Sequence, residues 1–178
     1  MVENTISIGA TFPNFRLNTV LANNEIVTLT DSVLEGKWSV FFTWPFDFTF
    51  VCPTEINGFN KIYADFAQAD CQLFGLSIDS EFVHLEWKKS FKDPIKFPWM
   101  SDVSRQLSTR LGIIDAMTGA TYRATYIIDP KKQIRSISIN DLSVGRNPEE
   151  TLRLVQAFQS GELCGCQWQP GDAYVKVS

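Results

Sequence analysis

Cys52 stands in the run Pro45-Phe46-Asp47-Phe48-Thr49-Phe50-Val51-Cys52-Pro53-Thr54-Glu55, where an apolar, strand-like stretch breaks at a proline and a helical pattern begins just beyond the cysteine. A sulfur in the first turn of a helix faces backbone N–H groups that have no partner within the helix, and it lies at the positive end of the dipole. Both favour the thiolate, which is the nucleophilic form of cysteine. By residue type alone, a cysteine among Phe, Val and Trp reads as a buried small hydrophobe. Its place at a strand-to-helix junction is what points to chemistry. The chain has four cysteines: the others are Cys71, at the opening of a predicted strand, and the closely spaced Cys164 and Cys166.

With 178 residues, 44% of them hydrophobic and 20% charged, the chain can bury one good core and falls in the usual range of a single domain. A net charge of −4, with no run of five Lys or Arg, excludes nucleic acid as a partner. The longest apolar runs, such as Trp38 to Trp44, are far shorter than a membrane span. Met1-Val2-Glu3-Asn4 carries neither a basic stretch nor an apolar leader core, so a cytoplasmic protein is expected. There, four cysteines point to catalysis or metal binding rather than to a disulfide framework.

The elements that must position Cys52 follow from periodicity. Trp38 to Trp44 is a continuous apolar and β-branched run, as in a central strand buried on both faces. From Thr54 to Ala69 the apolar residues recur at three and four, which predicts a helix starting next to Cys52. A strand over Gln72–Ile78 and helices over Glu81–Phe91 and Ser104–Leu111 continue the alternation, implying covered parallel strands. Thr125–Ile128 and Ile134–Ile139 flank an Asp129-Pro130 turn and predict a hairpin. A last helix enters through Asn147-Pro148-Glu149-Glu150 and stops at Gly161. The residues from Glu162 to Ser178 have little periodicity and read as a tail lying across something.

This order resembles the thioredoxin-like α/β fold with an added N-terminal hairpin (Phe15–Leu17 with Ile26–Leu29), an inserted helix and an extended C-terminal tail, dividing the chain into a domain over 1–160 and a tail over 161–178. The spacing Pro45-x-x-x-Thr49-x-x-Cys52, followed by Thr54-Glu55, resembles the active-site motif of the peroxiredoxins, of the typical two-cysteine, AhpC-like class. Tyr122-Arg123 before Ile127-Ile128-Asp129, and Val144-Gly145-Arg146-Asn147, also match that family. The resemblance implies a peroxidase for hydrogen peroxide and alkyl hydroperoxides that uses no cofactor and no metal. In it Cys52 is the peroxidatic thiolate, Thr49 a hydroxyl bonding to peroxide and sulfur, Pro45 a shield from water and Arg123 the charged fork that holds sulfur and peroxide oxygen together. Glu55 and Arg146 stand behind Arg123.

Glu162-Leu163-Cys164-Gly165-Cys166-Gln167-Trp168 resembles the family's C-terminal resolving segment. By that resemblance Cys164 resolves the sulfenic acid of Cys52 across a homodimer, with dimers assembling into a ring such as a decamer. A thioredoxin, or a dedicated reductase of the AhpF or AhpD type, then recycles the disulfide. The Cys-x-Cys pair departs from the usual Cys-Pro-Ala-Gly-Trp form and is closer to actinobacterial members, which leaves Cys164 and Cys166 as alternative resolving thiols. Zinc at these two would need Cys71 and His84 as well, but Cys71 reads as a packing cysteine and His84, in His84-Leu85-Glu86-Trp87, as a structural histidine. A dithiol oxidoreductase would want Cys-x-x-Cys, and the position three after Cys52 is Glu55. A chaperone or interaction protein on the same fold would need none of the cysteines.

Overall fold

The computed structural model describes residues 6–177; the leader reading made on Met1–Asn4 lies outside them. Seven strands form one sheet in the order β2-β1-β5-β4-β3-β6-β7. β1 (Arg16–Val20) and β2 (Ile26–Thr30) are the expected antiparallel hairpin. β3 (Trp38–Thr43), β4 (Cys71–Ser77) and β5 (Trp99–Ser101) run parallel at the centre. β6 (Arg123–Ile128) lies antiparallel to β3 and turns back into β7 (Ile134–Asn140). Among the described residues no helix is long and apolar enough to cross a membrane.

β3 shows why its run is continuously apolar. Side chains alternate across a strand, so Phe41 enters one core with Phe12, Phe15, Tyr126 and Leu107. Val40, Phe42 and Trp44 enter the other with Phe59, Trp99, Val155 and Cys52 itself. Helices cover the second face: α1 (Cys52–Lys61), α2 (Tyr63–Gln68), α3 (Glu81–Lys89) and α5 (Pro148–Ser160) all contribute side chains to it. The short α4 (Gln106–Arg110) packs on the first.

Boundaries differ from the periodic expectation where local chemistry intervenes. The helix expected from Thr54 to Ala69 begins at Cys52 and breaks at Ile62, whose φ of −102° and ψ of 18° separate α1 from α2. The helix expected from Ser104 starts only at Gln106, because Arg105 takes a left-handed φ of 58° and the buried Asp102 carboxylate accepts from the backbone N–H of Ser108 at 2.7 Å. β5 is three residues long, too short for a period to register, and is held by β4 on one side and β1 on the other. Lys88 is buried in the last turn of α3, and its ammonium donates to the carbonyls of Val20, Leu21 and Phe97, pinning the β1–β2 turn to the helix.

Gly75, mid-strand in β4, is required by a close approach: a Cβ there would lie 2.5 Å from Trp44 Cζ3 and 3.0 Å from its Cη2. The indole cannot retreat, since its Nε1 is tied to Asp47 and its ring packs on Trp99. Gly75→Ala should therefore destabilise the fold by about 1–3 kcal/mol, as overpacking of a well-filled core does, read as a lower urea midpoint. An unchanged midpoint would show that the indole has room to move.

Candidate active site

Cys52 is the first residue of α1 and is fully buried. Val51, before it, makes no side-chain cap bond, and Pro53 in the first turn has no N–H to satisfy. The sulfur has two donors. Thr49 Oγ1 lies 2.9 Å from Sγ and Arg123 Nη1 3.4 Å from it. Thr49 Oγ1 is also 3.0 Å from the carbonyl of Phe46. A hydroxyl has one hydrogen and two lone pairs, so Thr49 can give its hydrogen to sulfur or to that carbonyl and still accept from a third group.

Arg123 reaches the sulfur from the first position of β6, and three contacts fix its fork. Nε donates to the carbonyl of Leu142 at 2.8 Å, and Nη1 donates to Glu55 Oε2 at 2.6 Å as well as facing Sγ. Glu55, one helical turn beyond Cys52, gives its other oxygen to Arg146, accepting from Nε at 2.7 Å and from the backbone N–H at 2.9 Å. Arg146 Nη1 donates to the carbonyl of Ala124, and its guanidinium stacks over Phe42 at 5.3 Å. Burial pulls Arg146 below the ordinary arginine value, and Glu55 opposes that pull. Two guanidinium charges thus share one carboxylate, so the cluster carries one positive charge in excess beside the sulfur. In this low-dielectric setting that excess stabilises negative charge on the sulfur or on an oxygen bound to it.

Pro45 is buried where β3 has just ended. The tail cysteines lie elsewhere. Cys164 is half-buried beside α5, its sulfur 3.7 Å from the carbonyl of Ala157 and 3.5 Å from Ser160 Oγ, and Cys166 is exposed. The tail folds on itself and on α5: Trp168 is buried, stacks on Tyr174 at 5.7 Å and accepts through its carbonyl from Arg153. The N-terminal end of α5 meets α1, where a Cβ at Gly58 would touch Pro148. The nine-residue step from Pro148 to Ala157 spans roughly 14 Å of helix. Cys164 is therefore held at the end of α5 away from the contact with α1.

Cys71 is buried in β4, and burial pushes its thiol up to about 12, so it stays protonated and inert. His84 is fully buried and bonded to Asp47. Sequence reasoning placed His84 as structural but did not single out Asp47; an acid inside Phe46-Asp47-Phe48 was the available signal. It also missed the carbonyls of Leu142 and Ala124, which only the fold brings to the arginines.

Residues 8–137 match the AhpC/TSA family. The chain is 40% identical over 185 residues to the alkyl hydroperoxide reductase C of Mycolicibacterium smegmatis, covering 97% of this chain and 94% of that protein. It is 41% identical to peroxiredoxin-2 of Macaca fascicularis, covering 99% and 93%. Among solved structures, the reduced 2-Cys peroxiredoxin of Plasmodium vivax superposes with a TM-score of 0.90 at 29% identity, covering 95% of this chain and 92% of that one. AhpC of Mycobacterium tuberculosis gives 0.83 at 40% identity, with 92% and 99% covered.

Removing Glu55 would leave two buried cations facing each other. Glu55→Ala should cost about 3–5 kcal/mol of unfolding free energy, the usual penalty for breaking a buried ion pair from one side, and Glu55→Gln, which keeps acceptor capacity on one oxygen, should cost less. Denaturant unfolding of the two variants checks the order; a Glu55→Ala variant as stable as wild type would mean that solvent reaches the arginines.

Proposed function

The chain belongs to the AhpC/TSA family, and from that membership and the geometry around Cys52 we propose that it is a thiol peroxidase acting on hydrogen peroxide and alkyl hydroperoxides. The observation that carries the reading is the convergence of Thr49 Oγ1 and Arg123 Nη1 on the buried sulfur, with Glu55 and Arg146 fixing the arginine. The Cys52 thiolate attacks one peroxide oxygen. An S–O bond forms, the O–O bond breaks, and the leaving hydroxide or alkoxide takes up a proton to depart as water or alcohol. The cysteine is oxidised to a sulfenic acid and the peroxide is reduced. Thr49 orients the peroxide through its hydrogen-bonding hydroxyl, Pro45 keeps water from the sulfur, and Arg123 stabilises charge spreading over sulfur and both oxygens.

The sulfenic acid then condenses with a thiol, an S–S bond forming as water leaves. Cys52 is too deeply buried to meet that thiol in place, so the first turn of α1 must unwind; its uncapped Val51 end favours this. The placement of Cys164 at the end of α5 away from its contact with α1 supports resolution by Cys164, or by Cys166, of the other protomer in a homodimer. A dithiol protein of the thioredoxin kind, or an AhpF- or AhpD-type reductase, would return the disulfide to thiols.

Single-turnover kinetics test the assignment. Cys52→Ser should abolish stoichiometric peroxide consumption, whereas Cys71→Ser, Cys164→Ser and Cys166→Ser should each retain the first turnover; consumption by Cys52→Ser would overturn the reading. Arg123→Lys keeps the charge but loses the planar fork, and should slow the first turnover by a factor corresponding to about 2–4 kcal/mol of barrier. After peroxide, non-reducing gels should show disulfide-linked dimers that Cys52→Ser abolishes, and a disulfide confined to one chain would refute the route between protomers.

A further inference from the structure

Between Pro45 and Thr49 the loop carries one buried acid, and its contacts have no part in the chemistry described so far. Asp47 is held at three points. Oδ1 accepts from Trp44 Nε1 at 2.8 Å, Oδ2 lies 2.7 Å from His84 Nδ1, and its backbone N–H donates to Asp79 Oδ2 at 2.9 Å. The side chains of Asp47 and His84 are both shielded from solvent. The far nitrogen of His84, Nε2, lies 3.1 Å from the carbonyl of Met100 in β5, and the ring packs between Trp44 and Trp99 at 5.6 Å from each.

The hydrogen count of this pair is determined by its neighbours. A carbonyl can only accept, so Nε2 carries a hydrogen. The contact between Nδ1 and Oδ2 then needs one more proton between them, since without it two lone pairs would face each other. Wherever that proton sits, the pair is neutral overall, which is what an enclosure of indole rings tolerates. Burial raises the Asp47 carboxyl above its ordinary value while His84 draws it down, in keeping with a shared proton.

Phe48, next to Asp47, has a left-handed φ of 55° although it is not glycine, and Thr49 follows it directly. Such a residue costs on the order of 1 kcal/mol or more and persists only where its surroundings over-determine it. Phe48 is itself 61% exposed and touches Trp87 at 5.8 Å between ring centroids, which is a weak restraint. The three-point hold on Asp47 is the strong one. We propose that Asp47 and His84 form a buried clamp that positions the Thr49 hydroxyl over Cys52, so that both are positioning residues for the reaction with peroxide. The inference rests on the role of Thr49 given above. It assigns His84, on α3 and remote from the sulfur in sequence, a part in setting the geometry of the reacting site.

The test is a double-mutant cycle on first-turnover peroxide rates, with iodoacetamide alkylation of Cys52 as the control reaction, since it needs the sulfur but no oriented peroxide. Asp47→Ala should slow the peroxide reaction on the order of 10- to 100-fold, the scale of an ångström-level misplacement, without slowing alkylation. Asp47→Asn should restore most of the rate, because its carbonyl still accepts from Trp44 and its amide can donate to Nδ1. In a Thr49→Val background the Asp47→Ala loss should shrink to within about threefold, the signature of two residues acting through one contact. His84→Gln, measured alongside in case Asp47→Ala does not fold, should show the same dependence on Thr49. An equal loss in both backgrounds, or no loss in Asp47→Ala while Thr49→Val is slow, overturns the clamp alone. A Thr49→Val enzyme as fast as wild type overturns the role of Thr49 and the clamp with it.

Discussion

The carboxylate of Glu55, buried between the guanidinium groups of Arg123 and Arg146, is the contact on which the site depends. Desolvating three charges is expensive and is tolerated only when nearly every donor and acceptor is met. Here Oε2 takes Arg123, and Oε1 takes both the side chain and the backbone of Arg146. The spare donors of the arginines go to the carbonyls of Leu142 and Ala124, leaving Arg146 Nη2 as the one guanidinium nitrogen in the cluster that is buried without a partner. Because Glu55 is on α1, Arg123 on β6 and Arg146 just before α5, one ion cluster ties together three elements that are distant in sequence. The same cluster leaves a single net positive charge at the sulfur. The atoms that tie the elements together are thus the same ones that set the charge around the sulfur.

The sheet determines where that cluster can form. β3 is central and ends at Thr43, with Trp44 following it, so the chain leaves the sheet over the second core, and α1 begins where its first residue can drop into that core. β6 is the antiparallel neighbour of β3, with Thr125 opposite Phe42, which brings Arg123 to the same end of the sheet from which the Cys52 loop departs. Thr43 reinforces the junction: its hydroxyl donates to the carbonyl of Tyr122 and accepts from the N–H of Ala124. The arginine is therefore flanked on both sides by backbone bonded to the strand that launches the Cys52 loop.

Much of this was legible in the chain. The apolar run at Trp38–Trp44, the hairpin either side of Asp129-Pro130, the helix entry at Asn147-Pro148-Glu149-Glu150 and the Gly161 stop each carry a local signal whose physics does not depend on the rest of the fold, and each appears where expected. Cys52, Thr49, Glu55, Arg123 and Arg146 were nominated from motif resemblance, and the fold brings them into contact. What escaped was either too short or too non-local to leave a pattern. Three residues of β5 cannot show a period, the break at Ile62 interrupts an unbroken helical stripe, and the Asp102 cap on α4 acts across a left-handed Arg105. Asp47 and His84 are 37 positions apart and bond only because α3 packs beside the loop.

The proposed reaction places two conflicting requirements on Cys52. Reaction with peroxide calls for a dry, oriented sulfur, and the full burial of Cys52 against Phe42, Ile56 and Phe59 in the second core supplies one. Disulfide formation calls for a sulfur that leaves that core. A uniformly rigid active-site helix could not do both, whereas a rigid frame around a weak first turn can. The rigid parts are those with many buried polar bonds, namely the Glu55 cluster and the Asp47 clamp. The weak part is the stretch from Phe48 to Pro53, with exposed Phe48 and Phe50, a strained φ and no side-chain cap at Val51. Local opening draws on segments with few buried contacts. On the proposed route that opening would fall on the cysteine's own turn, while Arg123, Glu55 and Arg146, bonded to one another and to backbone carbonyls, would keep the place to which the sulfur returns.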